Sequence, residues 1–419
     1  GPGCLNNSGT ALVTGGTFLK ALNRQDVSRP NAIQVSGGTF SEPLDLTYCV
    51  DGFIPTATTV GDTTSYGVKE TDAVAVIAKG DGSYTECASL PQAVGFVPAN
   101  VSTTITVLRD ITGCGQTKIE ANKNVIIDLN GHDVTFAKSP TGTTASYPCF
   151  TVRPTVHLTL TGTGTISESD PIWTPICVNG SGASDAKYAC SVTVEENVTL
   201  KGWSGIVVDP IAKTIKAAYN VSITLAGKIE ADTYGIYVNG GLSNATGPVP
   251  EIAVTETADI DSKGDGIYAA GYAKWTLAGQ ISARTAIVAR SGVLTFKGGT
   301  YTSIMQDAFE EVAIDHPGGA VGTGAALSVS TADGYGATTI DIQGGTFVSA
   351  NGPAIYEYAA PTIVGGEAPA SQVTLAISDG TFTADGEYGA LLLTAMDNPQ
   401  VVSGGTFSTA VPEEFCTAG

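Results

Sequence analysis

Four related phrases between about Ser191 and Ser303 set the hydrophobic pattern of this chain. They read VTVEENVTLKGWSGIVV, VSITLAGKIEADTYGIYVNG, IAVTETADIDSKGDGIYAAG and WTLAGQISARTAIVARSG. Each has an apolar run with period two, a Gly or polar break, and a second apolar run. The second runs open at Ile206, Ile236, Ile267 and Ile287, so successive copies are 30, 31 and 20 residues apart. Alternation rich in Val, Ile and Thr is typical of strands with one buried face.

A unit of two or three short strands cannot bury its apolar face alone, so it must stack on the next copy. We therefore predict an all-β fold, a parallel β-helix over residues 73–419. The segment Ser89 to Val97 is predicted to be its one short helix, with Ser89 as N-cap and Pro91 in the first turn. Placed just before the first coils, this helix would cover strand edges that otherwise invite aggregation.

The two ends of the chain carry the same phrase. VSGGTFS stands at residues 35–41 and again at 402–408, and in each copy a cysteine follows the first glycine by 12 residues. Related phrases are GGTF at 15–18, GGTY at 298–301, GGTF at 344–347 and DGTF at 379–382. The glycines predict corners with positive φ, and the aromatics predict a stacked core.

Residues 1–53 contain two of these GGTF phrases and are predicted to form an N-terminal strand segment. Residues 54–72 are rich in threonine and show no sustained alternation. We predict that they form a linker or long loop. Residues 303–337 also depart from the repeat, and long loops on a rigid scaffold often carry function.

The order YxxxxSLPQAV, TITVLRDI and NVIIDLNGHDVTF, within residues 75–136, resembles the opening of right-handed parallel β-helix domains in large bacterial secreted and surface proteins. The GGTFS phrases resemble the coil corners of the same proteins. This resemblance covers most of residues 75–419 and implies a pectin-lyase-like, right-handed fold and an extracellular or cell-surface location. Its motifs are structural and identify no reaction. In these proteins the NGHD phrase forms a coil corner, so the resemblance implies a structural role for His132.

Composition excludes some partners. The net charge is −20 with only 20 Lys and Arg residues, so the chain lacks the basic surface that nucleic acid requires. No apolar run reaches about 18 residues, which argues against a membrane-spanning helix.

Eight dispersed cysteines without a CxxC pair argue against zinc and thiol redox chemistry and predict disulfides in an oxidising environment. The disulfide candidates are Cys87 with Cys114 and Cys177 with Cys190, together with Cys4, Cys49 and Cys416.

Three groups of residues are candidates for chemistry. An acidic cluster in the irregular stretch suits glycoside hydrolysis by paired carboxylates, with a solvated loop as the alternative; it comprises Asp307, Glu310, Glu311, Asp315 and His316. Asp259, Asp261 and Asp265 have the spacing of a Ca²⁺ loop, with an Asp-bonded turn as the alternative. Arg284 and Arg290 are candidates for a base or anion clamp. No other cofactor is expected.

The leading functional hypothesis is a non-catalytic, extracellular structural protein that assembles head to tail into a filament. The duplicated terminal phrase motivates it, since strands of residues 1–53 can add to the last coils of another copy. One alternative is a polysaccharide lyase or glycoside hydrolase. Another is an adhesin module that binds a host or cell-wall glycan, with Trp173, Trp203 or Trp275 as platforms.

Overall fold

The computed structural model describes residues 5–7, 9–24, 33–137, 148–169, 174–178, 189–208, 220–239, 249–316, 319–331, 337–359, 372–384, 387–397 and 399–417. These residues form an all-β structure with two long, mostly parallel sheets, as predicted, and the arrangement is consistent with a β-helix. Strands are numbered in chain order. The first six are β1 (Leu5–Asn7), β2 (Ala11–Phe18), β3 (Leu22–Arg24), β4 (Ile33–Phe40), β5 (Phe53–Val60) and β6 (Thr63–Glu70).

One long sheet has 12 strands, in which β7 pairs antiparallel with its two neighbours and the other pairs are parallel. Its strands are β7 (Ala75–Ala78), β8 (Tyr84–Cys87), β9 (Ser102–Val107), β12 (Asn124–Asp128), β15 (His157–Thr161), β18 (Cys190–Val194), β20 (Val221–Leu225), β22 (Glu251–Val254), β24 (Lys274–Leu277), β26 (Gly292–Phe296), β31 (Thr338–Ile342) and β34 (Val373–Ile377).

The other long sheet has 17 strands and is parallel. Its strands are β10 (Ile111–Cys114), β11 (Thr117–Lys118), β13 (Val134–Phe136), β14 (Phe150–Val152), β16 (Gly164–Glu168), β17 (Ile176–Val178), β19 (Val198–Val208), β21 (Lys228–Val238), β23 (Asp259–Ala269), β25 (Gln280–Ala289), β27 (Thr300–Ser303), β30 (Leu327–Thr331), β32 (Thr346–Ser349), β33 (Ile355–Ala359), β35 (Thr381–Ala384), β36 (Leu391–Leu393) and β37 (Thr406–Phe407). One passage of the chain through both sheets is called a coil below.

The isoleucines that defined the repeat lie side by side. Ile206 pairs with Ile236, Ile236 with Ile267, and Ile267 with Ile287, each in parallel register. All four are fully buried in the main core, which lies between the sheets. The sequence repeat therefore corresponds to the strand register of the sheet. The spacings of 30, 31 and 20 residues differ because the loops between the strands differ in length.

The corner prediction also holds. The second glycine of each GG pair has a positive φ, for example +115° at Gly38, +107° at Gly345 and +112° at Gly405. The aromatic two residues later points inward and stacks on its neighbour. The rings of Phe347 and Phe382 are 5.1 Å apart and within 11° of parallel.

One α-helix occurs in the described residues, α1 (Leu90–Phe96), at the predicted position. The Ser89 hydroxyl accepts a hydrogen bond from the Gln92 amide at 3.2 Å, and Pro91 lies in the first turn. The helix buries Leu90, Ala93 and Val94 in the main core. It therefore covers one end of that core.

The prediction of a linker at residues 54–72 was wrong. These residues form an antiparallel hairpin of β5 and β6, and β6 also pairs with β4 through Phe40 and Tyr66. The threonines favour strand structure because they are β-branched. Much of the hairpin is exposed, so its sequence lacks the alternation of a half-buried strand.

Residues 303–337 are more regular than predicted. An antiparallel hairpin joins β28 (Glu310–His316) to β29 (Gly319–Thr323). The strand β30 that follows rejoins the parallel sheet between β25 and β33.

The predicted intrachain disulfides are not formed. Cys87 and Cys114 are buried thiols on strands of different sheets. Cys190 is a buried thiol at the start of β18, whereas Cys177 lies between two inward-facing residues of β17 and points the other way. Cys49 and Cys416 are partly exposed thiols, and Cys4 lies outside the described residues.

Candidate functional site

The N-terminal coil (residues 33–50) and the C-terminal coil (residues 400–417) share several backbone contacts. Each has a parallel bridge to its last cysteine, between Val35 and Cys49 in the first and between Val402 and Cys416 in the second. In each coil, the amide of the residue after the cysteine donates a hydrogen bond to the valine's carbonyl oxygen. The Val50 amide donates to Val35 at 3.1 Å, and the Thr417 amide donates to Val402 at 2.9 Å. The sequence duplication is therefore a duplication of structure.

The preceding coils match as well. A Cβ at Gly37 would lie 2.3 Å from the Thr14 carbonyl oxygen, and one at Gly404 would lie 2.2 Å from the Ser378 carbonyl oxygen. Both glycines thus allow the same close approach of two backbones. The aromatic pairs repeat the pattern: Phe18 and Phe40 stack at 4.9 Å, and Phe382 and Phe407 at 4.7 Å.

The two ends differ in what covers them. In the N-terminal coil, β6 lies against β4. Among the described residues, β37 pairs only with β35, and β2 pairs only with β4, so each of β37 and β2 has one edge without a strand. Near the edge of β2, Leu12 is 63% exposed and Leu19 is 76% exposed. Open edges and exposed leucines are features of a surface that takes up another strand.

A groove of about 610 Å³ lies on the outer face of the 17-stranded sheet, across β16, β19, β21, β23 and β25. Ion pairs between neighbouring coils lie in it or at its side: Lys201 with Glu230 at 3.1 Å, Lys228 with Asp261 at 2.9 Å, and Lys263 with Asp232 at 2.5 Å. Exposed pairs of this kind contribute about 0–1 kcal/mol each. Sequence reasoning missed this groove, although aligning the repeats on their isoleucines brings its charged positions together.

The proposed Ca²⁺ loop has a different arrangement. Lys228 Nζ lies 3.4 Å from Asp259 and 2.9 Å from Asp261, and these carboxylates raise the pKa of the ammonium, chiefly through the hydrogen bond to Asp261. Asp265 follows a bulge and is buried. Within the described ranges, no group of three or more His, Cys, Asp or Glu side chains is placed to hold a metal ion. Lys228 thus lies between two of the three carboxylates of the predicted Ca²⁺ loop.

The predicted acidic cluster is exposed and only partly described. Asp307, Glu310 and Glu311 are exposed, while the side chains of Asp315 and His316 lie outside the described residues. Glu310 pairs with Arg284 at 3.8 Å. This contact links the β28–β29 hairpin to β25 by a surface ion pair.

Two other candidates are buried. Arg290, predicted as an anion clamp, has no exposed surface and donates to the Tyr268 hydroxyl at 3.1 Å. Trp275 is 2% exposed in the core, and Trp173 lies outside the described residues. Trp203 is 39% exposed and packs edge-on against Tyr234 at 5.7 Å.

His132 belongs to a corner. Asn130 and Gly131 have positive φ, and the Asn130 side chain donates to the Val107 carbonyl at 3.1 Å. The Asp110 carboxylate accepts from the Asp133 amide and lies 3.3 Å from His132 Nδ1, contacts that lower the pKa of Asp110. The NGHD phrase therefore ties neighbouring coils together.

Comparison with protein-family models, with curated protein sequences and with solved structures finds no match for this chain. None of the helices in the described ranges has the length and hydropathy of a membrane span.

Proposed function

We propose that this protein is a non-catalytic, extracellular structural protein, a right-handed, pectin-lyase-like β-helix that assembles head to tail into a filament. The observation that carries the proposal is the set of backbone bridges that the two terminal coils share, combined with open edges on β2 and β37. Strands of residues 1–53 of one copy add to the C-terminal coil of another. This contact joins two different surfaces, so it does not close and the assembly grows.

The core supports such a joint. Phe407, Val411 and Phe415 are partly buried side chains packed on the C-terminal end of the main core. On the N-terminal segment, Phe18 is likewise only partly buried against a cluster that includes Val13 and Leu22. Docking removes both apolar ends from water, and each Å² of apolar surface so buried contributes about 25 cal/mol before the cost of association.

The glycan-binding and glycosidase alternatives have one observation in their favour. The groove on the 17-stranded sheet is lined largely by polar side chains, and Trp203, on the same strand as the groove residues Lys201 and Gly202, is 39% exposed. However, the lysines of the groove already pair with carboxylates of neighbouring coils. We regard cohesion between coils as the better account of these residues.

The test is electron microscopy and sedimentation of the purified chain and of Phe407→Asp. The unmodified chain is expected to form fibres, and the variant to remain monomeric, because the new carboxylate would be buried at the joint without a partner. Phe96→Asp is the matched control: Phe96 is 51% exposed on α1, which belongs to neither residues 1–53 nor the C-terminal coil, and this variant is expected to form fibres. An unmodified chain that stays monomeric at high concentration contradicts the proposal.

A further inference from the structure

Two rows of outward-facing residues run across the 12-stranded sheet through eight neighbouring strands, from β15 to β34. The first row is His157, Ser191, Ser222, Glu251, Lys274, Val293, Thr339 and Thr374. The second row is Thr159, Thr193, Thr224, Ala253, Thr276, Thr295, Asp341 and Ala376. These sixteen residues are called the hydroxyl face below, because nine of them are serine or threonine.

The hydroxyl face carries little charge. Apart from its histidine, only Glu251, Lys274 and Asp341 are ionisable, although the whole chain has a net charge of −20. The outer face of the 17-stranded sheet differs, since charged side chains line its groove. Copies of an acidic chain repel one another, and a net charge far from zero opposes association. The hydroxyl face is therefore a surface on which a second copy can approach with little repulsion.

The two opposite charges of the first row lie on adjacent strands. Glu251 of β22 is opposite Lys274 of β24 in parallel register, and Lys274 Nζ lies 3.5 Å from Glu251 Oε1. Both side chains remain open to solvent, with 67% of Glu251 and 58% of Lys274 exposed. Each therefore has room for a second partner of opposite charge.

This charge pattern is complementary to itself. Consider a twofold axis that runs along the strands, midway between β22 and β24, with two copies face to face. The rotation reverses the order of the strands, so Glu251 of each copy faces Lys274 of the other. The contact uses the same surface on both copies, as a twofold interface requires.

The remaining residues of the face fit the same axis. The rotation places β20 opposite β26, β18 opposite β31 and β15 opposite β34 of the second copy. Thr193 then faces Asp341, so that a hydroxyl can donate to the second carboxylate of the face. Thr224 faces Thr295. Among the sixteen residues, no two like charges are opposed.

We propose that the hydroxyl face binds the same face of a second copy, so that two filaments pair side by side in opposite directions. This inference rests on the proposed head-to-tail assembly and adds a lateral contact to it. Because the twofold axis is perpendicular to the stacking direction of the coils, the paired filaments are antiparallel.

The size of the face explains why filaments pair and single molecules do not. Eight strands about 4.8 Å apart extend roughly 38 Å, and two outward residues per strand cover roughly 14 Å. The contact thus buries roughly 500 Å² on each copy, or about 1,000 Å² in total, which is the lower limit for a specific interface. A filament repeats the contact along its length, and many weak contacts then act together.

Charge reversal tests the axis. Electron microscopy of the unmodified chain is expected to show paired fibres. Glu251→Lys and Lys274→Glu are each expected to give single fibres, because like charges then face each other across the axis. The double variant restores opposite charges and is expected to restore pairing, as is a mixture of fibres from the two single variants. Both residues are exposed, so the substitutions leave the core unchanged.

Lys263→Glu is the matched control. It makes the same change in net charge as Lys274→Glu, at a lysine that is 81% exposed on the 17-stranded sheet. This variant is expected to form paired fibres. Loss of pairing in this control as well would show that net charge, and not the hydroxyl face, governs the association.

A second measurement does not depend on fibres. Beads that carry many copies of the Phe407→Asp chain, in which the head-to-tail joint is blocked, are expected to agglutinate through their hydroxyl faces. Adding Glu251→Lys or Lys274→Glu to this chain is expected to keep the beads dispersed. A mixture of beads that carry the two reversed chains is expected to agglutinate again.

The outcomes separate the two proposals. Pairing that either reversal abolishes and the double variant restores supports the hydroxyl face. Unmodified fibres that stay single, or pairs that survive both reversals, overturn it and leave head-to-tail assembly standing. If no fibres form, head-to-tail assembly fails and the beads decide alone: agglutination with the same charge dependence supports the lateral contact, and dispersed beads overturn it.

Discussion

At the scale of single residues, the coil corners depend on the second glycine of each GG pair. Gly345 has a φ of +107°, and a Cβ there would lie 2.8 Å from the Gly298 carbonyl oxygen. Both facts oppose any side chain at this position, because L-residues rarely adopt this backbone conformation. Gly298 differs, since it has no positive φ and a Cβ there would meet nothing within 4 Å.

We therefore expect Gly345→Ala to lower the free energy of unfolding by about 1–3 kcal/mol, the range for one residue held in a sparsely populated conformation. Gly298→Ala is expected to be neutral or slightly stabilising, because alanine restricts the unfolded chain. Urea denaturation followed by circular dichroism measures both. Equal effects from the two substitutions would contradict the role assigned to the second glycine.

Side-chain direction explains why the cysteines were misjudged from the sequence. An even number of dispersed cysteines predicts disulfide bonds. Whether a cysteine side chain points into or out of the core, however, depends on its position in its strand. Burial raises the pKa of Cys114 and of Cys190 to about 12. Cys149 is buried beside the Glu168 carboxylate at 3.3 Å, and burial, reinforced by this charge, raises its thiol pKa as well. Thiols in such sites are core residues and react slowly.

At the scale of elements, patterns with a buried face were predictable and patterns without one were not. The four repeats and α1 each bury a regular face, and the sequence located them correctly. The β5–β6 hairpin was missed because only its base is buried, with Ile54 fully covered and Val60 at the tip 77% exposed. The candidate groove was missed for a related reason: its lysines and carboxylates are adjacent in the sheet and distant in the sequence.

The N-cap of α1 gives a prediction at this scale. Ser89→Ala removes the acceptor for the Gln92 amide and should lower the free energy of unfolding by about 1 kcal/mol. Ser89→Asp keeps an acceptor at the same place and should retain most of the stability. Thermal unfolding of the three proteins measures the difference. If Ser89→Asp loses as much stability as Ser89→Ala, the contribution is not that of a cap.

At the scale of the whole molecule, polarity is the property that separates head-to-tail growth from symmetric association. A symmetric dimer uses the same patch on both subunits, so blocking one end of the chain either removes association completely or leaves it unchanged. A head-to-tail joint uses the N-terminal segment of one copy and the C-terminal coil of another. Each end can therefore be blocked separately, at Phe18 or at Phe407, which lie on the two proposed docking surfaces.

Phe18→Asp and Phe407→Asp are each expected to be monomeric, since every joint in either solution contains one blocked surface. An equimolar mixture is expected to form dimers and nothing larger. The intact C-terminal coil of the Phe18→Asp chain meets the intact N-terminal segment of the Phe407→Asp chain, and both outer ends of that dimer are blocked. Sedimentation velocity distinguishes the monomer, the dimer and longer species. A mixture that stays monomeric, or a single variant that dimerises alone, would show that the two ends do not bind each other.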